Sequence, residues 1–177
     1  VSHRDTSVRD LFERFLPDER RAGRLGHRFR MQDVLAFKGD AKRGKALFFT
    51  NAATQCKTCH RVKDEGGRVG PDLSAVGKKL SREQILESLA EPSKMIAQEF
   101  RTHLFETSDG RSFTGIIASK SATEIVIRDA ADKETRLPVE DVEQSAAQPQ
   151  SIMPEGLLRD LTGQQAADLV EYLLSLR

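Results

Sequence analysis

Cys56-Lys57-Thr58-Cys59-His60 is the stretch of this 177-residue chain that decides its fold, and it contains both of the chain's cysteines. On a helical turn, residues three and four apart lie on the same face, so two thiols and an imidazole at this spacing can reach one bound group. A C-x-x-C-H pattern is typical of covalent haem attachment. The sequence therefore predicts that Cys56 and Cys59 bind the haem vinyl groups as thioethers and that His60 binds the iron.

Three other uses of a paired-cysteine motif compete with haem attachment. A thioredoxin-like motif requires a βαβ context, whereas the residues before Cys56 have a helical pattern. A zinc site would need a fourth ligand, and the remaining histidines, His3, His27 and His103, are not suitably spaced. A plain disulfide would leave His60 as a coincidence. We therefore expect haem at this motif.

A second iron ligand is expected, because electron-transfer haems commonly pair histidine with methionine. The chain contains Met31, Met95 and Met153. Met153 precedes Pro154 in a polar loop, where a methionine has little reason to be a packing residue. We predict Met153 as the ligand, with Met95 as the alternative and Met31 as a core residue.

Helical patterns flank the motif on both sides. Asp40 is placed to cap a helix that leads toward the motif, and Ser81 with Gln84 forms a capping box for a helix after it. Thr162 with Gln165 forms a second capping box, followed by an apolar face at helical spacing. The sequence predicts a mainly helical core.

Between these helices the periodicity changes to that of strands. Asp109-Gly110 is a strong hairpin signal between two of the runs. The runs are short, rich in β-branched or aromatic residues and separated by turn residues, and they cover 100–107, 112–119, 124–129 and 134–139. The sequence predicts a small antiparallel sheet of about four strands inserted into the helical core.

The composition of the chain argues against some classes of function. The net charge is +1 and hydrophobic residues make up 38%, a globular composition without a nucleic-acid footprint. The first thirty residues hold eight arginines against five acids, which we interpret as a solvated helix face. No apolar run approaches the ~20 residues of a membrane span. The chain begins at Val1 without a signal peptide, so we expect an excised or mature module whose export signal lies outside it.

The order of these motifs resembles class I cytochrome c. The resemblance implies that Gly44 and Phe48 of the first core helix pack against Tyr172 of the last. It also implies that the backbone carbonyl of Pro71 accepts a hydrogen bond from Nδ1–H of His60 and so orients the ring. The matching features are Gly44 with Phe48, the CxxCH motif, Gly70-Pro71-Asp72-Leu73, Met153-Pro154 and Tyr172.

A closer resemblance is to the planctomycete and verrucomicrobial type of haem-binding domain. It rests on residues 40–100, on Asp109-Gly110 with Gly115, and on residues 151–158. In that family the cytochrome unit is typically the C-terminal part of a larger exported protein, often behind a dehydrogenase-like β-propeller. The resemblance implies a periplasmic or otherwise exported location and a fused or partner dehydrogenase as redox partner.

Together these features predict an all-α class I cytochrome c core with a small antiparallel β-sheet insert and an N-terminal helical extension. We expect the extension at 1–38, the first part of the core at 39–98, the insert at 99–145 and the rest of the core at 146–177. The predicted function is one-electron transfer by haem c rather than catalysis. The alternatives are a haem sensor with a displaceable distal ligand and a peroxidase-like enzyme, for which His103 is the available distal residue.

Overall fold

The computed structural model describes Phe12, Phe15 and residues 23–177. The first part of the N-terminal helical extension predicted at 1–38 lies outside the described residues, except for Phe12 and Phe15. The N-terminal prediction therefore stays a prediction for residues 1–22.

The described chain runs from helices through a sheet to a final helix. Its helices are α1 (Met31–Leu35), α2 (Ala41–Thr50), α3 (Cys56–Cys59), α4 (Val76–Lys79), α5 (Arg82–Ala90) and α6 (Gly163–Ser175). Its strands are β1 (Arg61–Val62), β2 (Glu65–Gly66), β3 (Thr102–Thr107), β4 (Ser112–Lys120), β5 (Glu124–Arg128), β6 (Glu134–Pro138) and β7 (Val142–Ala147).

Side-chain caps fix where the three longest of these helices begin. The Asp40 carboxylate accepts a hydrogen bond from a backbone N–H in the first turn of α2. Ser81 with Gln84 and Thr162 with Gln165 form complete capping boxes at α5 and α6. These three predicted starts are confirmed, because each cap satisfies backbone donors that the helix itself leaves without partners.

Helices α2 and α6 cross at very short range. A Cβ atom at Gly44 would lie 1.9 Å from the backbone oxygen of Asp168, so only glycine allows this approach. One turn further on, the ring centroids of Phe48 and Tyr172 lie 5.6 Å apart, and both side chains are buried. The helix pair that the cytochrome c resemblance implied is therefore present.

A buried carboxylate joins the start of α2 to α6. The side chain of Asp168 is 2% exposed. Its Oδ1 accepts hydrogen bonds from the backbone N–H of Asp40, Nη2 of Arg43 and Nε2 of Gln164, each at 2.8 Å. Its Oδ2 accepts from Nε of Arg43 at 2.6 Å. These charge-assisted bonds fix the helix crossing.

Two apolar cores lie in the described part of the chain. The helical core is formed by buried residues of the helices and of the loops between them, including Phe48, Leu86, Leu169 and Val170. The sheet core is formed by Phe105, Ile125, Ile127 and Leu137. The helical core is the one that carries the CxxCH motif.

The sheet has five strands, in the order β6-β5-β4-β3-β7, with every neighbouring pair antiparallel. The prediction of about four strands missed β7. This strand reads Val-Glu-Gln-Ser-Ala-Ala, and five of its six residues are exposed. Because residues on both of its faces are exposed, it shows no alternation of apolar and polar residues.

The first and the last strand of the sheet in sequence lie side by side. The first strand, β3, pairs directly with the last, β7, with His103 opposite Ala147. Just beyond β7, the N–H of Gln148 donates to the carbonyl of Thr102 at 2.8 Å. The chain therefore returns to the helical core close to the point where it left.

Candidate haem site

The CxxCH motif lies on the short helix α3, which follows α2 after one tight turn. The side-chain oxygen of Asn51 accepts hydrogen bonds from the backbone N–H groups of Ala53 and Thr54, at 2.8 and 3.0 Å. A backbone bond of 2.9 Å from His60 to the carbonyl of Cys56 closes the helical turn. The two cysteines therefore lie one turn apart on a segment that is anchored to α2.

Both cysteines are free thiols with half-buried side chains. Burial raises the pKa of Cys56, and burial together with the nearby carboxylate of Asp132 raises the pKa of Cys59. Thiols of redox-active CxxC motifs have lowered pKa values, because the thiolate is the reactive form. The environment of this motif is therefore unlike that of a thiol–disulfide exchange site.

A zinc ion at this motif would need four ligands close together. Among residues 23–177, Phe12 and Phe15, no three His, Cys, Asp or Glu side chains are grouped as a metal ion would require. The zinc interpretation has no ligand set within this part of the chain.

The imidazole of His60 is held by one hydrogen bond, with Nδ1 3.0 Å from the backbone oxygen of Pro71. Because a carbonyl oxygen only accepts hydrogen bonds, Nδ1 carries the hydrogen. Burial lowers the pKa of His60, and the bond to Pro71 opposes this shift in part. The neutral ring then keeps a lone pair on Nε2, which is the state that an iron-binding histidine needs.

A glycine-rich loop, residues 64–73, lies against the motif. Backbone bonds run from Gly67 to the carbonyl of Lys57 at 2.9 Å and from Gly70 to the carbonyl of Cys59 at 2.8 Å. These bonds fix the position of the Pro71 carbonyl relative to the motif.

Gly70 is needed at its position because it touches the histidine ring. A Cβ atom there would lie 2.5 Å from Cε1 and 2.7 Å from Nδ1 of His60, well inside van der Waals contact. The backbone of the loop thus forms one wall against the ring.

The three methionines differ sharply in their surroundings. Met153 is half-buried and packs against the helical core, as Cys56 also does. Met95 is 86% exposed. Met31 packs half-buried against the helical core, as the sequence predicted.

Sequence reasoning missed a contact between the sheet and the loop that follows the haem motif. Nη1 of Arg128 donates to the carbonyl of Arg68 at 2.7 Å, and the N–H of Arg68 donates to Oδ2 of Asp132 at 3.2 Å. Arg128 also pairs with Asp132 at 3.1 Å and with Glu134 at 2.5 Å. In sequence these residues are ordinary charges of a hairpin, so no local signal indicates that they contact the loop after the motif.

The donor set of this site fits haem c. It provides two thiols one helical turn apart, and an imidazole whose Nε2 has no hydrogen-bond partner among the described residues. Two thiols and an imidazole at this spacing are the groups used for covalent attachment of haem and for one bond to its iron. The thioether of Met153 borders the same helical core as Cys56.

A helical core built around such a site defines a haem-binding electron-transfer module. The chain matches the family described as Cytochrome c over residues 41–113. It is also similar to a protein described as cytochrome c-553-like from Synechocystis sp., with 32% identity over 79 residues, covering 45% of this chain and 70% of that protein. The chain belongs to the cytochrome c family.

Membership defines the cofactor and the class of protein. The family implies haem c bound covalently through two cysteines, which in this chain are Cys56 and Cys59. It also implies an electron-transfer protein rather than an enzyme. The family match ends within β4, so Met153 lies outside the matched residues. No helix of the described residues is long and apolar enough to cross a membrane.

Proposed function

We propose that this chain is a one-electron carrier in which His60 and Met153 are the two axial ligands of a single haem c. The observation that carries the proposal is the hydrogen bond of 3.0 Å between Nδ1 of His60 and the carbonyl of Pro71. This bond directs the hydrogen to Nδ1 and leaves Nε2 available to iron.

Each residue of the site has a separate task. Bound haem supplies a one-electron couple between ferric and ferrous iron. Cys56 and Cys59 hold the cofactor through thioether bonds, and Pro71 keeps the His60 ring in one tautomer and orientation. Gly70 allows the loop to pack directly on that ring. Met153 would hold the iron together with His60, so that no position on it would remain for a substrate.

The choice of Met153 over Met95 rests on burial, and its choice over Met31, which also packs against the helical core, rests on its position in the polar loop before Pro154. A ligand sulfur must lie beside the apolar core that encloses the cofactor, and Met153 packs there. Met95 is 86% exposed and makes no such contact. Ligation by methionine together with histidine also raises the reduction potential of a haem, which suits an electron carrier.

The domain boundaries and the partner are part of the same proposal. Residues 39–98 and 146–177 form the cytochrome core, 99–145 form the insert and 1–38 form an extension. By its resemblance to the planctomycete and verrucomicrobial haem-binding domains, the protein exchanges electrons with a fused or partner dehydrogenase in the periplasm or another exported location.

Absorption spectroscopy of the haem-loaded protein tests the ligand assignment. We expect a low-spin spectrum with the weak charge-transfer band of methionine-bound ferric haem. Met153→Ala should abolish this band, whereas the matched variant Met95→Ala should keep it. A high-spin wild-type spectrum, or fast carbon monoxide binding to the ferrous protein, would refute the proposal and favour a haem sensor with a displaceable ligand.

A further inference from the structure

The segment before the sheet and the segment after it are joined by a serine. Oγ of Ser93 donates a hydrogen bond to Oε1 of Glu155 at 2.7 Å. Oγ of Ser93 also accepts a hydrogen bond from the backbone N–H of Ser151 at 3.2 Å. Ser93 therefore holds two residues that lie on either side of Met153.

A third hydrogen bond extends this contact to the methionine itself. Oγ of Ser151 accepts from the backbone N–H of Met153 at 3.1 Å. The connection runs from Ser93 through Ser151 to the backbone of Met153, although the two serines are 58 positions apart in the sequence.

We propose that Ser93 is a positioning residue for Met153, holding the methionine loop (residues 148–157) against the helical core. This inference rests on the proposed function, because it concerns Met153 as an axial ligand. It assigns a role to the linker between α5 and the sheet, which is otherwise only a connection.

Ser93 is suited to this role because its own position is fixed. Pro92 is buried, and its ring restricts the backbone just before the serine. The turn is closed by a backbone bond of 3.0 Å from Lys94 to the carbonyl of Glu91. The Lys94 side chain also pairs with Glu87 and with Glu91, which ties the turn back to α5.

The methionine loop needs such an anchor. Residues 148–157 contain no helix or strand, so they lack the regular backbone bonds that fix the rest of the core. Pro154 has no N–H, and Pro154 and Glu155 are exposed. Without an external contact, the loop can move away from the core at low cost, and the ligand moves with it.

The test compares Ser93→Ala with wild type and with two matched variants in the haem-loaded protein. Ser93→Thr keeps the hydroxyl. Ser88→Ala removes a serine hydroxyl from the adjacent helix α5, where it bonds only the carbonyl of Gln84. The readouts are the affinity of ferric protein for imidazole, which competes with methionine, and the rate of hydrogen exchange at the Met153 amide.

We expect Ser93→Ala to bind imidazole about two to ten times more tightly, as expected for the loss of hydrogen bonds of ordinary net strength. Exchange at the Met153 amide should accelerate in the same variant. Ser93→Thr and Ser88→Ala should both behave like wild type. Glu155→Ala breaks one of the same bonds from the loop side without altering α5, and it should shift both readouts in the same direction. It therefore replaces Ser93→Ala as the test variant if Ser93→Ala does not fold.

The outcomes separate this inference from the proposed function. If Met153→Ala keeps the charge-transfer band, the ligand assignment itself fails. If Met153→Ala loses the band but Ser93→Ala and Glu155→Ala leave imidazole affinity and amide exchange unchanged, Met153 is the ligand and the positioning role of Ser93 is overturned.

Discussion

The ion pair between the partly exposed Arg43 and the buried Asp168 provides a test of the helix crossing that carries the haem motif. Asp168→Asn keeps the size of the side chain and one acceptor oxygen. It replaces the other oxygen, which lies 2.6 Å from Nε of Arg43, with an amide nitrogen that can only donate. A donor then faces a donor in a site that is 2% exposed, and Arg43 loses its ionic partner.

The burial of the two side chains determines how much the substitution lowers the free energy of unfolding. Breaking a buried ion pair by removing one partner costs about 3–5 kcal/mol. The Arg43 side chain is 58% exposed and can regain water, so we expect the lower figure of about 2–3 kcal/mol in the free energy of unfolding. For a chain of this size, that loss lowers Tm by about 4–12 °C.

The measurement is thermal unfolding of the haem-loaded protein at pH 7, followed by circular dichroism. Asp33→Asn is the matched control, because Asp33 makes a similar two-point contact with Arg30, but with side chains 50% and 79% exposed. We expect the control to lose no more than about 1 kcal/mol. Equal losses of Tm in the two variants would refute the view that the buried carboxylate fixes the crossing.

The same pair predicts a pH dependence. Burial opposes ionisation of Asp168, but the hydrogen bonds from Arg43, Gln164 and the backbone of Asp40 outweigh it and hold its pKa below the usual 3.8. The stabilisation is therefore present above the unfolded-state pKa of about 3.9 and is lost as the pH falls through the folded-state pKa. The difference in Tm between wild type and Asp168→Asn should be constant from pH 5 to 8 and should shrink below about pH 4.

Two further substitutions test the contacts around the motif. Gly70→Ala should displace the His60 ring and give a mixed- or high-spin absorption spectrum, whereas Gly23→Ala, where an added Cβ meets nothing within 4 Å, should keep the wild-type spectrum. Arg128→Ala should release the sheet from the loop after the motif and cost about 1–3 kcal/mol in chemical unfolding, with faster hydrogen exchange in that loop. Arg136→Ala, which breaks only an exposed pair, should cost less than about 1 kcal/mol, and equal costs would contradict the role given to Arg128.

Local chemistry explains which features the sequence predicts well. Capping boxes at Ser81 and Thr162 and the Asp109-Gly110 hairpin each depend on residues within a few positions of one another. Such features depend little on the tertiary structure around them. The sequence therefore predicts four of the five strands of the sheet and the starts of the three longest helices. The CxxCH motif is also local, because one turn of helix brings its three functional side chains together.

Features that depend on residues far away in the sequence cannot be predicted in this way. Strand β7 is an exposed edge whose residues show no alternation, and it is defined only by its pairing with β3. In sequence Asp168 only interrupts the apolar face of α6. Its role depends on Arg43 and on the backbone N–H of Asp40, which donate to its carboxylate from the distant start of α2. Arg128 likewise has no sequence signal for its bond to the loop after the motif.

The sheet interrupts the cytochrome core in sequence without separating its parts in space. Because β3 and β7 are neighbours, the chain re-enters the helical core beside the point where it left, and the site needs no long connection to bring Met153 back. At its other side, the sheet contacts the loop after the motif through Arg128. The sheet is therefore joined to the helical part of the chain at two places, where β3 and β7 lie side by side and at the loop after the motif.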